Sequence, residues 1–323
     1  MNISRREAIR KTVCFSSALF AGNLLSRVSA QSTPPSANAG GLHLLAFGDF
    51  GSANQEQADV AIQMSAFAKN LNTPLAAVLA LGDNFYGKFT MDRFKTGFED
   101  MYSKEILNCN FYACLGNHDY EFVGKEKPQQ TKADWQLKYA AQNPQSRWKL
   151  PAKWYVEELK DSSGPLVRII VLDGNPGITE EEKLAQKKFL EAELDRKTTA
   201  PWTWMVNHFP MFTASAKRKD NQDLIDHWGP LLKKHNISLF IAGHDHSLQH
   251  LEVDGYNTSF VISGGGGRKL DEVREGSRGF AKSQLGFNHI HVDRQAITTR
   301  FIDEKGNQLH AFKRDSTGKV SVV

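Results

Sequence analysis

Asp49-Phe50-Gly51, Gly82-Asp83-Asn84-Phe85-Tyr86, Gly116-Asn117-His118-Asp119, Asn207-His208 and Gly243-His244-Asp245-His246 follow one another along the chain. Together they carry the oxygen and nitrogen donors of a two-metal site. A carboxylate such as Asp83 has two oxygens and can bridge cations about 3.5–4 Å apart, the spacing of two-metal hydrolases. Asp49 would bring negative charge to one metal, and Asn117 a neutral carbonyl oxygen to the other. The imidazoles of His208, His244 and His246 suit zinc, iron and other first-row metals, whereas magnesium and calcium prefer oxygen donors alone. His244 and His246 stand two residues apart, so on extended backbone they point the same way and can serve adjacent metals. A phenolate at Tyr86 is a hard anionic oxygen that favours a trivalent ion at the first position.

Each motif needs an element to aim it. Apolar, largely aliphatic runs precede them: Leu42 to Phe47, Ala76 to Leu81, Phe111 to Leu115, Trp202 to Val206 and Ile237 to Ala242. Such runs read as buried strands that break into glycine or small polar residues where the donors appear. The donors would then sit at strand ends, where open α/β sheets hold ligands. Taken singly the motifs are weak, since Asp-x-Gly is usually a turn and Gly-Asn-His-Asp can be an Asx turn. Their order, with Tyr86 in register, is what points to metal.

In that order the set resembles the calcineurin-like metallophosphoesterases, and within them the purple acid phosphatases of the small, tartrate-resistant type. The motifs Asp-x-Gly, Gly-Asp-x-x-Tyr, Gly-Asn-His-Asp, Val-x-His-x-Pro and Gly-His-x-His all stand here, and the resemblance covers roughly 42–313. Tyr86 discriminates, because most other members of the superfamily lack that tyrosine. The resemblance implies Fe3+ held by Asp49, Asp83, Tyr86 and His246, and a divalent metal (Fe2+, Zn2+ or Mn2+) held by Asp83, Asn117, His208 and His244. It also makes His118 a phosphate contact and a proton donor to the leaving group. Two departures bear on that donor: Tyr120 follows Asp119 where the family has a second histidine, and the loop after Pro210 has no histidine.

The implied chemistry is hydrolysis of phosphate monoesters by a metal-bound hydroxide, with Asp83 bridging and His118 as acid, inorganic phosphate as product, and an acidic optimum. No Gly-x-Ser-x-Gly and no Walker-type loop supplies a competing mechanism. Phosphodiesters or nucleotides are the alternative substrates, and metal storage or phosphate binding at an inert site is the non-enzymatic alternative. The implied fold is α/β, a four-layer α/β/β/α sandwich in which a β-sandwich is flanked by helices. Helices are expected around Val60, Met64, Phe67 and Leu71 and around Leu184, Phe189, Leu190 and Leu194. Antiparallel strands are expected over 288–292, 297–302 and 308–313. The Gly264–Gly267 run reads as a tight turn or a phosphate nest, Lys217–Lys219 as solvated charge or an attractant for phosphate, and the segment 121–154 as a rim or lid over the site or a solvated surface excursion. His43, His227, His235, His250, His289, His291 and His310 have no such motif and read as structural or surface residues.

The N-terminus has charged, apolar and small-residue regions ending at Val28-Ser29-Ala30. This is the plan of an export signal, and the adjacent Arg5 and Arg6 resemble a twin-arginine one. We expect a signal over 1–30, a flexible leader over 31–41 and the catalytic domain over 42–323. The export machinery would then be a partner, the destination periplasmic or secreted, and a permanent membrane anchor absent. Of 40 basic and 36 acidic residues, five and one lie in the first thirty, which leaves 35 against 35. The basic pI is therefore mostly the signal's, and no nucleic-acid partner follows from it. Cys109 and Cys114, an odd number of residues apart on one expected strand, would face opposite sides and not pair.

Overall fold

The computed structural model describes residues 40–124, 130–276 and 278–323. The expected signal and residues 31–39 of the expected leader lie outside these. Among the described residues no helix is long and apolar enough to cross a membrane.

The chain begins β1 (Leu42–Phe47), α1 (Gln55–Leu71) and β2 (Ala77–Ala80), then a short helical stretch over 91–99 and β3 (Asn110–Ala113). The two-residue strands β4 (Phe122–Val123) and β5 (Gln130–Thr131) pair, and α2 (Lys132–Gln142) and β6 (Trp148–Lys149) follow. Next come β7 (Tyr155–Asp161), β8 (Gly164–Val171), α3 (Glu180–Asp195), β9 (Trp202–Val206), α4 (Gln222–Lys234) and β10 (Leu239–Ala242). The remainder is strand: β11 (Leu248–Glu252), β12 (Ser259–Ser263), β13 (Gly279–Lys282), β14 (Gly286–Val292), β15 (Ala296–Asp303), β16 (Gln308–Asp315) and β17 (Val320–Val322).

One sheet has the order β17, β16, β15, β14, β1, β2, β3, β6, and the other β13, β11, β12, β10, β9, β8, β7. Each has a parallel centre: β1, β2, β3 and β6 in the first, and β8, β9, β10 and β12 in the second. Side chains alternate along a strand, so Val167, Ile169 and Val171 of β8 join the core shared with the first sheet, while Ile170 and Leu172 pack with Leu190 of α3. Leu224, Trp228 and Leu232 of α4 cover the same outer face. Val60 and Met64 of α1 are fully buried with the first sheet's residues. Strands buried on both faces read as continuous apolar runs, which is why all five expected strands were visible. The layers are those of the expected α/β/β/α sandwich.

The details depart from expectation in three places. Leu184 is 53% exposed, and α3 instead buries Gln186 and Leu190. Gln186 is needed there because it accepts from the Asp173 N–H at 2.6 Å and donates to the Asp173 carbonyl at 2.8 Å. Cys109 and Cys114 flank β3 rather than lie on it, and both are free thiols. Finally, 121–154 is no simple excursion, since it contributes β4, β5, α2 and the edge strand β6.

Candidate metal centre

All the expected donors lie just beyond the C-terminal ends of parallel strands: Asp49 after β1, Asp83 and Tyr86 after β2, Asn117 and His118 after β3, His208 after β9, His244 and His246 after β10. The first three strands belong to one sheet and the last two to the other, so the site spans the top of the sandwich. The backbone bends sharply there. Asp49 (φ 59°), Asp83 (φ 52°) and His244 (φ 68°) are all in the left-handed region, which costs an L-residue about 1–2 kcal/mol each and marks positions held for their side chains. Close approach also demands glycine: a Cβ on Gly116 would stand 2.2 Å from Asp83 Oδ1.

The side chains fall into two groups that share Asp83. In the first, the Tyr86 hydroxyl lies 2.9 Å from Asp83 Oδ2, 3.2 Å from Asp49 Oδ1 and 3.4 Å from His246 Nε2, which is itself 3.4 Å from Asp49 Oδ1. In the second, His208 Nε2 lies 3.3 Å from Asn117 Oδ1, 3.2 Å from His244 Nδ1 and 3.5 Å from Asp83 Oδ1. His244 Nδ1 and Asn117 Oδ1 are 3.1 Å apart. Bonds of about 2.0–2.2 Å place neighbouring donors roughly 3.0–3.5 Å apart around one ion. Both groups have that spacing.

The imidazoles are aimed from behind. His208 Nδ1 donates to the Leu81 carbonyl at 2.8 Å and His246 Nδ1 to the Lys269 carbonyl at 2.7 Å, which turns each Nε2 toward its group. The His244 N–H donates to Asp49 Oδ2 at 2.8 Å, and the His118 N–H to Asp83 Oδ1 at 2.9 Å.

The electrostatics call for positive charge. Burial works to raise Asp49, yet His208, His246 and His244 hold it below the ordinary carboxylate value. Burial works to lower His208 and His246, yet Asp83 and Asp49 raise the first and Asp49 the second. Burial, with Asp49 and Asp83 beside it, pushes the Tyr86 phenol far above its usual range, so without a cation the phenol keeps its proton. His244 is pushed down to about 3 by burial, His208 and Arg218. Two carboxylates, a phenol, an amide oxygen and three imidazoles converge with lone pairs inward, and this donor set fits two cations.

His118, half-exposed, packs against Tyr86 with ring centroids 4.6 Å apart, and its Nδ1 lies 2.5 Å from Glu121 Oε1. Lys132, whose side chain is buried, donates to Glu121 Oε2 at 2.6 Å. Tyr120 stands where the family has a second histidine, and its hydroxyl donates to Asp173, which burial raises to about 6. A hollow of about 370 Å³ opens beside His244, lined by Phe209, Pro210, Thr213, Arg218, Lys219, Asn221 and Asp245. A larger one of about 630 Å³, at Tyr112, Trp148 and Tyr155, includes none of the donors.

Several supporting residues carried no sequence motif. Arg218 is not merely solvated: its guanidinium donates to Asp245 at 3.2 Å and to Asp271, while Asp271 accepts from the His246 N–H at 3.3 Å. Thr213 donates to Asp245 as well. Glu121, Lys132 and Arg268, whose guanidinium lies 4.4 Å over the Tyr86 ring, likewise gave no signal. The Gly264–Gly267 run is a close-packed crossing, and a Cβ on Gly264 would meet the Asp245 carbonyl at 2.1 Å and Asp49 Oδ2 at 2.9 Å.

Residues 42–248 match the calcineurin-like phosphoesterase family. Purple acid phosphatase 7 of Arabidopsis thaliana is 29% identical over 335 residues, covering 92% of this chain and 95% of its own. Tartrate-resistant acid phosphatase type 5 of Mus musculus is 25% identical, covering 83% and 88%. Among solved structures, GAP50, the anchor in the inner membrane complex of Plasmodium, superposes with a TM-score of 0.71 at 21% identity over 86% of this chain and 89% of its own. That last likeness is one of fold alone. With the motifs in order, the match across both sheets and these relatives, the chain belongs to the calcineurin-like phosphoesterase family, in its purple acid phosphatase branch.

Proposed function

We infer that this chain is an exported acid phosphatase with a dinuclear metal centre, and that it hydrolyses small phosphate monoesters. The observation that carries the reading is the pair of four-donor groups sharing Asp83, with the Tyr86 phenol in the first. A similar fold serves in GAP50 as an anchor, so the reading rests on the donors and not on the fold.

Asp49, Asp83, Tyr86 and His246 would hold Fe3+; Asp83, Asn117, His208 and His244 would hold a divalent ion. Bound there, the two cations would supply an activated water and neutralise phosphoryl charge. His118 would protonate the leaving oxygen, held by Glu121. The Leu81 and Lys269 carbonyls fix the tautomers and orientations of His208 and His246, and Asp271, held by Arg218, anchors the His246 backbone. Residues 1–30, read as a twin-arginine-like signal, support a periplasmic or secreted location.

The deciding experiment takes protein purified without residues 1–30, measures its metals and visible spectrum, and compares Tyr86→Phe. We expect bound iron, a broad visible band lost in the variant, and faster hydrolysis of monoesters than of diesters at acidic pH. A colourless, active enzyme with two divalent metals and a preference for diesters would replace this reading with the phosphodiesterase one.

A further inference from the structure

The loop after β12 is pinned on both sides of one exposed cation. The Gly266 N–H donates to the Gly48 carbonyl at 3.0 Å, and the Gly267 carbonyl accepts from Asn54 at 3.0 Å. Beyond Arg268, the Lys269 carbonyl accepts from His246 Nδ1 at 2.7 Å, and the Asp271 N–H donates to the His246 carbonyl at 3.0 Å. Glycines are obligatory on the approach, since a Cβ on Gly266 would lie 2.3 Å from the Gly48 carbonyl oxygen. The loop therefore cannot drift, and it presents Arg268 at a fixed place.

That place is beside the first donor group. The Arg268 guanidinium carbon is 4.4 Å from the centroid of the Tyr86 ring, and His118 packs on the same ring. Among the described residues no carboxylate pairs with Arg268. Two other arginines tied to the site's loops are committed elsewhere: Arg218 to Asp245 and Asp271, and Arg93 to the Gly51 carbonyl at 2.9 Å. A guanidinium's fork of donors matches phosphoryl oxygens and stays charged at every working pH.

We propose that Arg268 binds the non-bridging oxygens of the substrate's phosphoryl group and thereby selects phosphate monoesters. A monoester has three such oxygens and a diester two, so a third anchor beyond the metal pair favours the monoester. This rests on the phosphatase reading above, and the experiment separates the two. Calorimetric titration of the metal-loaded protein with inorganic phosphate reads Arg268 without turnover, and kinetics on 4-nitrophenyl phosphate and bis(4-nitrophenyl) phosphate read the preference. In Arg268→Ala we expect phosphate to bind about 50-fold more weakly, with metal content and visible spectrum kept, because a charge-assisted pair is lost. The monoester kcat/KM should fall about as far and the diester value by less than about fivefold, with partial recovery in Arg268→Lys. Phosphate affinity within about threefold of wild type, or equal losses on both esters, overturns the proposal. A wild type that binds phosphate but hydrolyses neither ester sinks the phosphatase reading, while the titration still decides whether Arg268 binds phosphate.

Discussion

His118 is set by the donors Tyr86 and Asp83 on one side and by Glu121 and Lys132, which hold no metal donor, on the other. Its Nδ1 faces Glu121, and Glu121 is held by the buried Lys132, which also donates to the Phe85 carbonyl at 3.0 Å. Burial would raise Glu121, but its hydrogen bonds with Lys132 and His118 outweigh this and keep it a carboxylate. An imidazole whose Nδ1 is fixed this way has its Nε2 free to give a proton to a departing alkoxide. Leaving groups should therefore expose the role. His118→Gln is expected to lower kcat about 100-fold on an alkyl phosphate, whose oxygen needs the proton, and less than about tenfold on 4-nitrophenyl phosphate. Glu121→Gln should give the same pattern more weakly. Equal losses on both substrates would remove His118 from proton transfer. His118 was legible because it sits inside Gly-Asn-His-Asp, whereas Glu121 and Lys132 were not, since nothing local distinguishes a helix-entry lysine that is buried. Arg218 was hidden for the same reason, its partners lying 27 and 53 residues away.

At the level of elements, β1 and β14 place three imidazoles on one face of the first sheet. His43 opposes His291 across the antiparallel pair, their ring centroids are 4.5 Å apart, and His43 Nδ1 is 2.9 Å from His289 Nε2. Burial, then His291 and Arg300, lowers His43 to about 4; burial and His43 take His289 well below its usual value. A histidine whose folded pKa is depressed contributes stability that is complete above its unfolded value near 6.5 and is lost as pH falls toward 4. For His43 the loss is at most about 3 kcal/mol. The urea midpoint should accordingly fall between pH 6.5 and pH 4, and His43→Leu should flatten that fall, as read from the difference between the two proteins' profiles. Parallel profiles would show that the cluster does not titrate on unfolding. The strands themselves were plain in the sequence, with Trp202–Val206 matching β9 end for end. Which histidines meet across them was not, because cross-strand register is a tertiary fact. The same limit hid the inward Gln186 and the outward Leu184 of α3, where a buried backbone partner overrode apolar spacing.

Over the whole molecule the proposed donors, once loaded with cations, would act as a clasp between two sheets. Asp49, Asp83, Tyr86 and Asn117 rise from β1, β2 and β3, while His208, His244 and His246 rise from β9 and β10, so neither group of four is complete within one sheet. Without cations, the buried carboxylates face the Tyr86 hydroxyl, two backbone N–H groups and the imidazoles of His208 and His246, and burial disfavours the charged form of both imidazoles. Metal binding to such a site is then linked to folding of the sandwich as a unit. At free metal about 1,000 times Kd the linkage is worth about 4 kcal/mol per site. For a domain of this size that corresponds to a Tm increase on the order of 10 °C or more. Chelation followed by scanning calorimetry should show the fall, and hydrogen exchange should place the new opening in the segments after β1, β2, β3, β9 and β10 rather than in β15 and β16, which carry no donor. A Tm unchanged within about one degree after complete metal removal would mean that the sheets hold their relation through the apolar core alone, and that the clasp contributes chemistry without stability.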